Sequence, residues 1–241
     1  MKLTALGLMI GNSRHHWAGF REHDIAQVWD GDPVSSEEKF PPFFQGSLPL
    51  YLASVVPETT VFWQSYPQVK LITLKEIPLH GVYPSLGIDR ALAVWGAGTE
   101  LGWPILVIDG GTALTFTGAD QNRCLVGGAI LPGLGLQLSS LTEKTAALPR
   151  VSVPQQMPER WALSTESALQ SGVIYTVLSG LRDFIQAWRR DFPQSQVVIT
   201  GGDRVVLQQG LQQLFPDSGA GVLESPYVIF WGMLRCQIPR Q

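Results

Sequence analysis

The sequence predicts an α/β fold in two lobes, each a mixed sheet flanked by helices. Three observations carry this expectation. Short apolar runs of strand length alternate with longer runs of helical periodicity. The 241 residues suffice for two small cores. A strand that runs into a glycine turn with small polar residues occurs twice, as Leu8-Met9-Ile10-Gly11-Asn12-Ser13 and as Ile108-Asp109-Gly110-Gly111-Thr112, about a hundred residues apart. Two lobes of one ancestral design would explain that recurrence. So would chance, because short glycine turns are common. The expected lobes span residues 1–103 and 104–241.

Residues 3–10 read as a buried strand. The turn Gly11-Asn12-Ser13 follows, and 14–20 can form the second arm of a hairpin. The stretch 30–49 is rich in proline and acids around Phe40-Pro41-Pro42-Phe43-Phe44, so it reads mostly as loop. Short strands are expected over 50–56 and 69–74. Pro84-Ser85-Leu86-Gly87 then breaks the chain before a helix over about 89–98. In the second half, 105–108 is a strand. Residues 113–117 pair with 125–131 across Gly118-Ala119-Asp120-Gln121-Asn122. Pro132-Gly133 ends that hairpin, and a helix over 134–147 is stopped by Pro149. Residues 151–163 look irregular. Ser164 or Thr165 can cap a long amphipathic helix to about residue 190. Residues 196–200 form a buried strand closed by Gly201-Gly202-Asp203, and two more helices follow.

Composition narrows the class. With 45% hydrophobic and 15% charged residues the chain is folded rather than disordered. A formal net charge of -3 creates no global positive field, so no nucleic-acid partner is expected. An anionic ligand must then be held by local amides and single basic residues. No apolar run approaches the ~18 residues of a membrane span. The apolar start is read as a strand, because Gly11-Asn12-Ser13-Arg14-His15-His16 interrupts it too soon for a leader. Cys124 and Cys236 are far apart without a Cys-His cluster, which argues against structural zinc and suits reduced thiols in a cytoplasmic protein. The eight tryptophans, Trp17, Trp63, Trp95 and Trp188 among them, read as core or interface anchors.

The chemistry concentrates in glycine turns. Val107-Ile108-Asp109-Gly110-Gly111-Thr112 offers bare amides and a hydroxyl for phosphoryl oxygens, with a carboxylate to help place a cation. In Gly87-Ile88-Asp89-Arg90, Asp89 can be a helix N-terminal acid favoured by the macrodipole, or a base that accepts a hydroxyl proton while Arg90 grips an anion. Gly201-Gly202-Asp203 permits close approach of a ring or phosphate, or is an ordinary strand-to-helix turn with Asp203 as cap. The run from Gly127 to Gly133 can likewise be only a hairpin end.

These pieces, in this order, resemble the type III pantothenate kinases of the acetate and sugar kinase, heat-shock ATPase and actin superfamily. The matching blocks are Ile10-Gly11-Asn12-Ser13-Arg14, Tyr83-Pro84-Ser85-Leu86-Gly87-Ile88-Asp89-Arg90, Asp109-Gly110-Gly111-Thr112-Ala113, Gly127 to Gly133, Ser164-Thr165 with Ala168-Leu169-Gln170-Ser171-Gly172, and Thr200-Gly201-Gly202-Asp203. They cover nearly the whole chain. The resemblance implies a ribonuclease H-like, actin-like ATPase kinase fold with ATP in the cleft. It implies ATP-dependent phosphorylation of pantothenate to 4'-phosphopantothenate, the first step of coenzyme A biosynthesis. Asp89 would be the general base. Tyr83, Gly87, Ile88, Asp89, Arg90 and Thr165 would bind pantothenate. Met9, Ile10, Gly11, Asn12, Ser13, Arg14, His15, His16 and Thr112 would bind ATP, which brings magnesium. Asp109 would hold a monovalent cation, potassium or ammonium. A homodimer is implied, with Thr165 serving the partner's pocket.

The chain departs from the family pattern in the first turn, where the family carries aspartate and threonine and this chain has Met9 and Ser13. It departs again at Thr117, where the family usually has an acid. A thioether is soft and magnesium takes hard oxygens. Another acid must substitute for Met9, or ATP and water hold the metal, or activity is impaired. A sugar or small-acid kinase of the same superfamily, or a non-catalytic nucleotide- or pantothenate-binding regulator, stays open on the sequence.

Overall fold

The computed structural model describes residues 3–31, 48–145 and 147–237. Their contacts divide the chain into two compact units, one of residues 1–101, 123–125 and 227–241, the other of residues 102–122 and 126–226.

The first unit holds β1 (Ala5–Ile10), β2 (His15–Arg21), β3 (Asp24–Gly31), β4 (Leu50–Ser54) and β5 (Val69–Leu71), in the order β3-β2-β1-β4-β5. The β1–β2 and β2–β3 pairs are antiparallel, and β4 is parallel to both β1 and β5. Every residue of β1 is buried, as a central strand covered on both faces requires. On one face Leu6, Leu8 and Ile10 pack with Trp17, Leu50, Leu52 and Trp63. Trp63 comes from α1 (Pro57–Trp63), which opens on a proline suited to a first helical turn.

The opposite face meets α7 (Val228–Gln237). A Cβ on Gly7 would strike the Phe20 ring and stand 3.3 Å from Met233 Sδ. Helix α2 (Ile88–Leu101) crosses α7 through two glycines. A Cβ on Gly96 would land on the Val228 carbonyl and the Gly232 nitrogen, and one on Gly232 would land on the Leu92 carbonyl. The backbones approach as closely as a missing Cβ allows. Past this crossing Arg235 Nε donates to Glu100 Oε1 at 2.6 Å, and its guanidinium donates to the His23 carbonyl at 3.3 Å.

The second unit holds β6 (Ile105–Gly110), β7 (Ala113–Ala119), β8 (Leu125–Pro132), β9 (Gln196–Thr200) and β10 (Val222–Glu224), in the order β10-β9-β6-β7-β8. Strand β6 is antiparallel to β7 and parallel to β9, which is parallel to β10. Taken from its hairpin edge, this sheet runs third, second, first, fourth, fifth strand, as the first sheet does. The long helix α4 (Thr165–Asp191) is capped by Ser164, whose Oγ accepts the Ser167 N–H at 3.2 Å. Its buried Val173, Ile174, Val177, Leu178, Leu181, Ile185 and Trp188 recur at helical spacing and join Ile108, Phe116, Ile199 and Leu207 in one core. Each such side chain contributes roughly 1.5–3 kcal/mol when fully buried.

Both hairpins and the long helix lie where the residue pattern puts them. The helix expected over 134–147 is shorter, α3 (Leu134–Glu143). Several elements have no clear sequence signal. β3 is an edge strand with irregular exposure, α1 is rich in β-branched and aromatic residues, α6 (Pro216–Gly219) is a single turn that adds a third helix to the two expected after residue 200, and β10 has three residues. Of the loop expected over 30–49, Asp30 and Gly31 belong to β3, and 32–47 lie outside the described residues. No helix among the described residues is long and apolar enough to cross a membrane.

Candidate active site

The first candidate turn joins β1 to β2. The Gly11 N–H donates to the Arg14 carbonyl at 3.0 Å and closes it. Asn12, Ser13 and Arg14 are exposed, while Met9, Ile10 and His15 are buried. His15 lies under the turn, edge-on to Trp63 with centroids 6.3 Å apart. Burial pushes its imidazole below the ordinary value, and neighbouring His16 adds to this. His16 points to the other face, with Nδ1 2.7 Å from Oδ1 of Asp30. Arg14 approaches the same carboxylate at 3.7 Å. Met9, 2% exposed, brings no hard oxygen to the turn. Among the described residues no group of three His, Cys, Asp or Glu forms a metal cage.

The second constellation opens α2. The Asp89 carboxylate folds back to accept the Arg90 N–H at 2.9 Å, over Gly87, where a Cβ would collide with Oδ1. The glycine leaves room for the acid two residues on to take this position. Arg90 is buried, and its Nη1 donates to the hydroxyl of half-exposed Tyr83 at 3.1 Å. Ile88 is buried beside them. Tyr83, Gly87, Asp89 and Arg90 thus form one cluster.

In the second unit three glycine turns meet at the carboxyl ends of β6 and β9. Asp109 is the penultimate residue of β6, and its Oδ1 lies over Gly201, where a Cβ would collide with it. Gly201 has φ +87°, which favours glycine. The Thr112 carbonyl accepts the Gly133 N–H at 2.9 Å, and a Cβ on Gly133 would overlap the Gly111 carbonyl. The Asp203 N–H donates to the Gly110 carbonyl at 2.9 Å. Its carboxyl group caps no residue of its own helix α5 (Arg204–Leu214). Burial raises its pKa above the ordinary value, and the Leu134 N–H, which donates to it, opposes that rise. Helices α3 and α5 both begin here, so their N-terminal amides and dipoles favour an anion outside the strand ends. Thr112 is exposed at this place. Thr117 is buried two residue pairs inboard, opposite Val107. Thr165 is exposed at the first position of α4.

Two braces of these turns carry no sequence signal. Asp30 bonds His16 from fourteen residues away. Arg204 holds the Gly201 carbonyl at 3.1 Å and pairs with Glu224 at 2.6 Å. Each partner pair is joined only by folding.

A family profile described as type III pantothenate kinase matches residues 5–187. A curated type III pantothenate kinase of Nostoc sp. is 50% identical, over 95% of this chain and 92% of its own length. One from Synechocystis sp. is 51% identical, over 95% and 88%. The chain belongs to the type III pantothenate kinases. This pantothenate kinase therefore phosphorylates pantothenate with ATP in coenzyme A biosynthesis, and the sugar-kinase and regulator readings give way. Solved structures establish the fold alone. An activator of the 2-hydroxyisocaproyl-CoA dehydratase from Clostridium difficile, with bound ADPNP, superposes with TM-score 0.52 at 10% identity, covering 95% of this chain and 91% of that one. A putative N-acetylglucosamine kinase from Porphyromonas gingivalis gives 0.52 at 12%, covering 97% and 98%. The pantothenate kinase thus has the actin-like ATPase and sugar kinase fold, with its two mixed five-stranded sheets.

Proposed function

We propose that Asp89 is the general base of this pantothenate kinase. It accepts the proton of the primary hydroxyl as that oxygen attacks the γ-phosphorus of ATP. The new O–P bond forms, the bond to the β,γ-bridging oxygen breaks, and ADP leaves. The observation that carries the reading is the anchored carboxylate. The Arg90 N–H fixes Asp89 at 2.9 Å over a residue with no Cβ, beside a buried guanidinium. Such fixed geometry suits phosphoryl transfer, which depends mainly on positioning and charge neutralisation. Arg90 and Tyr83 grip the pantothenate carboxylate through charge-assisted bonds, and Gly87 and Ile88 line the pocket.

For ATP, the turn from Gly11 to Arg14 supplies amides and polar side chains to the phosphates, together with His16 and Thr112. Met9, Ile10 and His15 act through backbone and packing. The kinase uses ATP with magnesium, and with Met9 in the first turn the ion is held chiefly by phosphate oxygens and water. Asp109 offers the hard carboxylate oxygen that potassium or ammonium takes, and that cation would offset charge at the phosphates. The assembly is a cytoplasmic homodimer in which Thr165 serves the partner's pocket. Exposed Trp161 and Leu163 just before Thr165, and Val126 and Ile130 on the edge strand β8, support that reading.

Asp89→Asn tests the base in an ADP-release assay with pantothenate, magnesium and potassium. The expected loss in kcat is roughly 10²–10⁴-fold with the circular dichroism spectrum unchanged. Near-normal turnover would mean that Asp89 is not the base.

A further inference from the structure

The carboxylate missing at Met9 has a counterpart two strands away. Met9, His16 and Asp30 stand directly opposite one another across β1, β2 and β3. Residues opposed in this way project from the same face of a sheet. The row therefore reads thioether, imidazole, carboxylate, beside the Gly11–Arg14 turn. Exposure rises along it, from 2% at Met9 to 41% and 53% for the His16 and Asp30 side chains.

The bond between the last two fixes the imidazole. Nδ1 lies 2.7 Å from Asp30 Oδ1, and an ionised carboxylate only accepts, so Nδ1 carries a proton. The ring's other nitrogen then faces the turn. A Cβ built on Gly11 would stand 3.6 Å from His16 Nε2 and 3.7 Å from Cδ2. Arg14, which ends the turn, approaches the other oxygen of Asp30 at 3.7 Å. Asp30, itself half-exposed, thus contacts both basic side chains at the turn, His16 through one oxygen and Arg14 through the other.

We infer that Asp30 is a positioning residue that holds His16 so that its Nε2–H donates to a phosphate oxygen of ATP. The turn thus offers the phosphates an imidazole in place of an acid. With Nδ1–H engaged by Asp30, only the doubly protonated ring donates from Nε2, and that ring stands between a carboxylate and a phosphate. The inference rests on the reading of residues 11–14 as a phosphate turn.

The test measures the KM for ATP and for pantothenate, together with calorimetric binding of the non-hydrolysable analogue ADPNP. His16→Ala is expected to weaken both ATP measures at least about tenfold, the loss of one charge-assisted hydrogen bond. The pantothenate KM stays unchanged. Asp30→Ala has a similar effect, and Asp30→Asn, whose amide oxygen still accepts Nδ1–H, recovers most of it. The double variant Asp30→Ala/His16→Ala is no weaker than His16→Ala alone, because one residue acts through the other. Additive losses would overturn the inference by showing that Asp30 acts without His16. Unchanged nucleotide affinity in His16→Ala, while Asn12→Ala loses it, overturns the inference and leaves the turn reading intact. If Asn12→Ala also binds normally, the turn reading itself falls and takes the inference with it.

Discussion

Glu100→Ala tests the brace between α2 and α7. The Arg235 side chain is 3% exposed and that of Glu100 11%, with 2.6 Å between Nε and Oε1. Removing the carboxylate leaves the guanidinium in its buried place with the His23 carbonyl at 3.3 Å as an acceptor. An uncompensated buried charge of this kind costs about 3–5 kcal/mol. A urea slope of about 1–3 kcal/mol per molar converts that into a midpoint lowered by one to several molar. Removing both charges is different, because the desolvation cost disappears together with the attraction. Glu100→Leu/Arg235→Met should fall within about 1 kcal/mol of the parent, or above it. Tryptophan fluorescence follows the unfolding, since Trp95 lies on α2 and Trp231 on α7. A single-variant loss below about 1 kcal/mol, or a double variant as unstable as the single one, would refute the reasoning.

Three further outcomes follow from the site and its surroundings. On the proposed cation role, Asp109→Asn should abolish stimulation of turnover by potassium or ammonium over sodium, and an unchanged cation response would remove Asp109 from that role. The folded state depresses the His15 pKa below 6.5, so the unfolded chain binds the extra proton first. Stability should therefore fall as pH drops through about 6.5, and His15→Gln should flatten that slope in thermal melts across the range. An unchanged slope would count against it. Trp161→Glu/Leu163→Glu should convert the proposed homodimer to monomer in light scattering, and a retained dimer would exclude this surface as its interface.

Strong periodicity and clear punctuation make the frame legible. β1 is an unbroken apolar run, the α4 apolar residues recur at helical spacing, and Ser164 announces the start of that helix. The glycine blocks are legible for a related reason. Gly201 is required by its own backbone angle, and Gly87 makes room for the side chain two residues on, so each need is written locally. What is illegible is joined across the fold. The edge strand β3 has no clean alternation, so Asp30 looks like the start of a loop, and nothing nearby ties it to His16. Gly96 and Gly232 each sit in an ordinary helical sequence, and their purpose appears only when the two helices cross. Arg204 and Glu224 are twenty residues apart and meet only through the parallel pairing of β9 and β10.

The return of α7 to the first unit has a consequence in time. Glu100 waits for a partner 135 positions later. At roughly 5–20 residues per second, the ribosome makes Arg235 about 7–27 seconds after Glu100. Through that interval the sheet face around Gly7 and the glycine groove of α2 lack their cover, while the second unit can already close. The helix that bears Asp89 is therefore among the last to be secured during synthesis. Nascent chains stalled before residue 228 should expose an apolar groove that chaperones recognise, although every residue assigned to substrate has by then been made.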